Sequence, residues 1–416
     1  MTEPRRRPTA DELLALFKDL KDTTFGKYFA LAAEDDDLLQ WASGTSLDST
    51  GSYAHYLRGF DAAYRPILLP LATNYVGRGA NNIVTGDYTE VEVILPQGLH
   101  TEPEEGAAHK LELETWLMGW FNEVDRRSKI SPDVTGVKNA LGLGFGVYAF
   151  PLVKSRYPSP PKAGRGRTKK QKDEWDQYQT DLLECWPWDV RAPHPRNMVF
   201  DPDHDPPEYF FEFMDIPTRV AFEEYPDWNG SGLTKIREGS SSTVERIVYC
   251  SADWYAVFLA GDPVLGSREH AVDGVAPNTL GFAWYEIAES GWGQADYQGR
   301  MEYRLQGMVR AGRGLIIAAT ETFNVRQHQK IMNAFGIDVF TGQGDDGQAI
   351  AEEESKGLAR GPGKKWALSD RVRHSVADSP AVEPGLLEHD TETQRYMDLQ
   401  YGPDVLAGAF KDEPTG

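Results

Sequence analysis

Apolar residues recur at helical spacing toward both ends of the chain and alternate with polar ones in its middle, so helices flank a β-rich centre. The first pattern predicts helices near Ala10 to Asp22 and Gly26 to Trp41, the second bearing the acidic run EDDD at 34–37. With so many carboxylates this segment reads as a solvated arm or a docking surface. Residues 53–78 set aromatic and aliphatic residues at helical spacing, but Pro66 and Pro70 break or kink a helix there. A strand-like EVEVIL follows at 90–95. The strongest amphipathic signal lies in 107–129, where Leu113, Trp116, Leu117, Trp120, Phe121 and Val124 share one face. Ser131, Pro132 and Asp133 supply a cap and first turn for a helix running into NALGLGFGVYAF at 139–150, a glycine-rich step from helix to strand.

The middle of the chain changes character. Residues 185–228 are rich in proline and aromatics and read as short strands and turns, followed by a helix over Thr218 to Glu224. From Thr243 the pattern alternates, turns at Gly261, Asp262 and Pro263, and returns through LGFAWYEIA at 280–288, a compact β module directly before the longest helical pattern.

That pattern begins near Asp296 and continues to about Ala334. Proline is absent from Pro277 to Pro362, and thirty residues or more would span roughly 45 to 60 Å at about 1.5 Å each. Gly307, Gly312 and Gly314 fall in its interior, although each costs roughly 1 kcal/mol there relative to alanine. Met301, Leu305, Met308, Val309, Gly312, Leu315, Ile316, Ala319 and Phe323 make one apolar face; Gly307, Ala311, Gly314 and Ala318 make a second stripe of small residues only. Small side chains let a second backbone come close, which offsets the glycine cost. Two packing faces suit either a central helix buried in one subunit or a ring in which every copy has two neighbours. Arg300, Arg304, Arg310 and Arg313 tip the balance slightly toward the ring, because four arginines suggest contacts with acidic neighbours. A polar loop at 341–364 and a last helix from Pro384 to Leu399 complete the chain.

Composition narrows the function classes. A length of 416 residues predicts two or three domains. No apolar run is long enough to cross a bilayer, and the basic N-terminus leads into an amphipathic pattern rather than a signal peptide, so a cytosolic product is expected. Two cysteines exclude a disulfide framework and a thiolate zinc site. A net charge of -21 argues against a protein that coats nucleic acid, but does not exclude one that lets DNA slide past without gripping it. The loop 157–172 offers Lys162, Arg165, Arg167, Lys169, Lys170 and Lys172 to phosphates, although a mobile solvated loop is the plainer reading. Asp201, Asp203, His204 and Asp205 offer oxygen and nitrogen donors for a divalent cation, but the prolines among them favour consecutive turns. Walker, GxSxG, HExxH and CxxC motifs are absent, and the nine histidines lack ligand spacing. Glu112 with Glu114, and Glu208 with Glu212, read as surface charges. No cofactor is implied and no reaction is named.

The order of parts resembles a portal protein of tailed bacteriophages. The residues carrying the likeness are Pro195, Asn197, Asp201 and Pro202 of a "P.N...DP" phrase, Tyr225 and Pro226 closing the next helix, and Gln298 and Gln306 where the long helix opens. The likeness runs over about residues 50 to 410. It implies an α+β subunit of a ring, usually of twelve copies, at one capsid vertex. Residues 1–49 would be a helical arm, 50–242 the wing, 243–290 a β-rich clip, 291–340 the stem helix, 341–365 the loop facing the channel and 366–416 a C-terminal wing or short crown. The implied partners are further copies of the chain, the major capsid protein, a terminase, head–tail adaptor or tail proteins, and double-stranded DNA in the channel, with no membrane. The subunit would not be an enzyme and would reside in the virion after assembly in the host cytoplasm. Lys356, Arg360, Lys364 and Lys365 cluster where the channel loop would meet DNA, while Met301, Leu305, Met308 and Leu315 with Gly307, Ala311, Gly314 and Ala318 would pack the stem. Two alternatives stay open: a metal-dependent enzyme acting on phosphates or sugars through Asp201 to Asp205, and another ring-forming head–tail adaptor.

Overall fold

The computed structural model describes residues 6–40, 69–85, 103–153, 156–158, 161, 169–228, 230, 243–266, 269–294, 299–335, 337–344, 346–355, 368, 371–377, 391–393 and 395. The architecture is α+β and divides into two units, Met1–Asp36 with Asn74–Ala311 and Asp37–Thr73 with Gly312–Gly416.

In the first unit, α1 (Ala10–Asp19) starts where the Thr9 side chain accepts the Glu12 amide and the Glu12 carboxylate accepts the Thr9 amide, a reciprocal cap that contributes about 1 kcal/mol. The helix stops three residues short of the expected Asp22, and one π-turn over Leu20–Thr24 leads into α2 (Gly26–Gln40). Leu13, Phe17 and Leu20 stand at i, i+4 and i+7 and are buried. They share a core with Phe25, Tyr28, Phe145, Met198, Phe200 and Phe211. The opening helices are therefore structural members and not a solvated arm, because their apolar stripe supplies one wall of the main core.

Helix α3 (Leu71–Thr85) begins directly after Pro70, and α4 (Pro103–Arg127) starts four residues before its expected beginning. The face predicted to be apolar on α4 is only partly covered: Val124 is buried, whereas Trp116 is 63 % exposed. Helix α5 (Pro132–Leu143) has the expected cap, the Val134 amide donating to Ser131 Oγ at 3.4 Å, and Gly144 ends it in the left-handed region at φ +105°. Strand β1 (Phe145–Ala149) follows. Helix α6 (Lys169–Glu184) takes up Lys169, Lys170 and Lys172 of the expected basic loop; Lys162, Arg165 and Arg167 lie outside the described residues.

Beyond it come β2 (Met198–Phe200), β3 (Tyr209–Pro217), α7 (Thr218–Glu224, as expected), β4 (Thr243–Ser251), β5 (Trp254–Leu259), β6 (Asp262–Pro263), β7 (Val275–Pro277) and β8 (Tyr285–Glu289). One antiparallel sheet runs β2-β3-β4-β5-β6, with β7 also paired to β5. Strands β3 and β4 pair from Tyr209↔Ser251 to Pro217↔Thr243, so the domain boundary expected at 243 falls within a sheet. The β module does not close on itself either. Strand β8 leaves that sheet and pairs with β1, Phe145 opposite Glu289 and Ala149 opposite Tyr285. The chain thus departs from β1, builds the large sheet and returns beside its point of departure.

The long pattern then forms α8 (Met301–Arg304) and α9 (Met308–Phe335). In the second unit β9 (Ile337–Gly342) pairs antiparallel with β10 (Val372–Ala377), and α10 (Gly347–Ser355) lies between them in sequence. The stretch 341–365 is therefore not all loop. Residues 391–393 and 395 are helical; the rest of the expected helix over 384–399, the strand at 90–95 and the segment 53–68 lie outside the described residues.

Candidate functional site at the start of the long helix

The expected single helix is interrupted. Its first described helical segment starts at Met301, Asp296 lying outside the described residues, and Leu305 to Gly307 break it. Gly307 is thus not an interior helical glycine: its carbonyl accepts the Ala311 amide at 3.2 Å as the first bond of α9. Its lack of a side chain is needed for another reason, since a Cβ there would stand 2.2 Å from the Gly142 carbonyl oxygen. Gly144 answers from the other side, where a Cβ would stand 2.5 Å from the Leu305 carbonyl carbon. Two backbones cross here with no side chain between them. Ser290 adds a tie, its hydroxyl donating to the Gln306 carbonyl at 2.5 Å while its amide donates to Gly144 at 3.0 Å.

Charged groups fasten the same junction. Arg304 meets Glu289 at 2.7 Å, which joins α8 to β8. Arg310 meets the fully buried Asp35 at 2.8 Å and lies 5.8 Å from the centre of the Tyr28 ring, which joins the first turn of α9 to α2. Tyr28 donates its hydroxyl to the Leu143 carbonyl at 3.0 Å, and burial pushes its pKa far above the ordinary phenol range. Arg304 and Arg310, read from sequence as reaching for acidic neighbours, find those acids within their own chain.

Exposure sorts the predicted stem residues. Met301, Leu305, Gly307, Met308, Val309, Gly312 and Ile316 are buried, and Leu315 and Ala318 are half-buried. Ala311 and Gly314 are exposed, and a Cβ at Gly314 would meet nothing within 4 Å. The helix thus has one face held within the chain and, one turn after its start, a smooth face of small residues open to an approaching surface. Lys356, Arg360, Lys364 and Lys365 lie outside the described residues.

The acidic turn has its own geometry. Donor atoms of Asp201, His204 and Glu208 come within 4.8 Å of one another, a set that includes Glu208 in place of the expected Asp203 and Asp205. The Asp201 carboxylate is buried and already engaged: it accepts the Asp203 amide at 3.1 Å and the Glu208 amide at 3.2 Å, and lies 2.7 Å from His204 Nδ1. Its oxygens close the turn, which gives the aspartate a structural role. His204 is held above its ordinary pKa by that hydrogen bond.

Two features escaped the sequence reading. Glu212 is not a surface charge: it is 1 % exposed, paired with Arg191 through two contacts, one at 2.6 Å, and accepts the Tyr285 hydroxyl at 2.7 Å. Only the alternation of FFEF around it hinted that residue 212 points inward. The second is a cleft of about 670 Å³ between the end of α4, the start of α5 and residues 186–192, with Trp186 and Trp188 in its wall. The dense WPW at 186–188 was its one signal.

No protein-family model matches this chain, and no curated protein matches it in sequence. Among the described residues, no helix is long and apolar enough to cross a membrane.

Proposed function

We propose that this chain is the subunit of a portal ring, the channel at one vertex of a phage capsid through which double-stranded DNA is packaged and ejected. The observation that carries the reading is the division of α9 into a face held by its own chain and a small-residue face, Ala311 and Gly314, that is exposed. A ring subunit offers one surface to its left neighbour and another to its right, and the exposed face of α9 supplies one of the two. The order of segments supports the same reading: β1 and β8 pair at the root of an excursion that contains the β-rich segment, and the long helix starts directly after it. The subunit is non-enzymatic in this account. Terminase, adaptor or tail proteins and the major capsid protein are its partners, and twelve copies make the ring. A metal-dependent enzyme is favoured by the Asp201, His204 and Glu208 grouping alone, and the turn's own hydrogen bonds already account for that grouping.

The test is assembly and packaging. Ala311→Leu with Gly314→Leu places two large side chains on the exposed small face and is expected to abolish rings while leaving the subunit folded. In virions, Lys356, Arg360, Lys364 and Lys365 changed together to alanine are expected to reduce packaged genome. Rings that form normally with both leucines present would remove the helix face from the account, and undiminished genome would remove the four cations.

A further inference from the structure

We propose that the outer edge of β8 is a docking site for an extended, basic segment of another protein, which adds to it as a further strand. Strand β1 has a neighbour on each side. On one side the Ala149 amide donates to the Arg191 carbonyl at 2.8 Å and the Arg191 amide returns the bond at 3.1 Å; on the other lies β8. The bonds that flank the β1–β8 ladder fix which residues of β8 face β1. The Phe150 amide donates to the Trp284 carbonyl at 2.8 Å, and the Ser290 amide to the Gly144 carbonyl at 3.0 Å. Backbone groups alternate in direction along an antiparallel strand, so Glu286 and Ala288 face β1 as Trp284 and Ser290 do. The N–H and C=O groups of Tyr285, Ile287 and Glu289 therefore point away from it. Among the described residues, none of these three makes a backbone hydrogen bond on that side. An unpaired row of this kind is a template for another strand.

Space and charge select the occupant. A cleft of about 460 Å³ has Tyr285, Glu286, Ile287 and Glu289 in one wall and the turn at 205–207 in another. Arg304, the one cation lining it, is held by Glu289 at 2.7 Å. Asp205 and Glu286 are exposed and have no ion-pair partner among the described residues, so the surplus charge along the edge is negative. Two β8 edges laid side by side would bring those carboxylates together, and like charges across a strand pair are destabilising. The acids that keep copies of this edge apart attract lysine or arginine. A strand with a cation opposite Glu286 and an apolar residue opposite the half-buried Ile287 matches both the charge and the packing. The site lies within one copy of the chain and does not rest on the ring reading.

The experiment follows amide hydrogen exchange in the full chain. Free, the amides of Glu286 and Ala288 are expected to exchange at least about tenfold more slowly than those of Ile287 and Glu289, because only the first two are bonded to β1. A capped peptide of threonine, lysine, valine, lysine and threonine, in that order, is expected to slow Ile287 and Glu289 when added at millimolar concentration. The same peptide built with N-methylvaline keeps its charge and loses the donor to the Ile287 carbonyl, and is expected to bind at least about tenfold more weakly. Glutamate in place of both lysines is expected to abolish binding. On the protein side, Ile287→Pro removes the outward amide and leaves the bonds to β1 in place; a similar weakening is expected, with unchanged far-ultraviolet circular dichroism verifying the fold. Failure of the lysine peptide to slow Ile287 would overturn the proposal. Equal binding of the methylated peptide would reduce the contact to attraction by net charge and overturn strand addition, and equal binding of the glutamate peptide would overturn the charge selection. Slow exchange at Ile287 in the free chain at every dilution would show an edge covered by its own chain, and slow exchange that dilution relieves would assign the edge to a second copy; either result overturns the basic partner.

Discussion

Glu212 sits between the Arg191 guanidinium and the Tyr285 hydroxyl, at 1 % exposure, in the strand that pairs with β4. Its removal would leave Arg191 facing a cavity with its main counter-ion gone. Because Arg191 is 31 % exposed and keeps Asp189 at 3.8 Å, Glu212→Ala is expected to cost about 2–3 kcal/mol, whereas Tyr285→Phe, which deletes one hydrogen bond, is expected to cost about 1 kcal/mol. Urea unfolding of the two variants measures both. Two histidines give opposite pH signatures. The hydrogen bond to Asp201 raises His204, so its stabilising contribution is complete below the unfolded value near 6.5 and is lost as pH rises through the higher folded value. Burial lowers His194, opposed by Asp36 and reinforced by Arg196, so its contribution holds above about 6.5 and is lost as pH falls. Proton magnetic resonance is expected to show His204 titrating above 6.5 and His194 below it, with Asp201→Asn bringing His204 back down. An unmoved His204 in that variant would show that Asp201 is not the cause.

Two glycines of one helical pattern have opposite reasons to be glycine. Gly307→Ala would drive a Cβ into the Gly142 carbonyl, where backbone meets backbone and neither yields cheaply, so a loss of about 1–3 kcal/mol is expected. Gly314→Ala meets nothing and gains helix propensity, so the isolated subunit is expected to become up to about 1 kcal/mol more stable. Thermal unfolding of monomeric protein separates the two. The sequence placed both within one helix, since periodicity alone registers spacing and not the backbone crossing that breaks the helix at Leu305. It did find α5 with its Ser131 cap and the glycine-rich step into a strand, α7, and the turn at Gly261, because each is signalled by residues within a few positions. The pairing of β1 with β8 and the burial of α1 in the main core depend on residues more than a hundred positions apart, and no local pattern announces them. Glu212 and the tryptophan-lined cleft were missed for the same reason: their partners are brought together by the fold.

At the scale of the whole molecule, the proposed ring has copies of the chain packing side by side through α9. A charge of -21 per subunit makes such packing sensitive to salt, since bulk repulsion between copies is screened as ionic strength rises. Assembly is expected to strengthen between low and moderate salt, as sedimentation would show. The most direct measurement is the mass of the purified wild-type particle by sedimentation equilibrium, read alongside its top view in negative stain. The account predicts a closed annulus with an open centre and a mass about twelve times 46.5 kDa. A single species of 46.5 kDa at every concentration and salt, both free and extracted from virions, would contradict it.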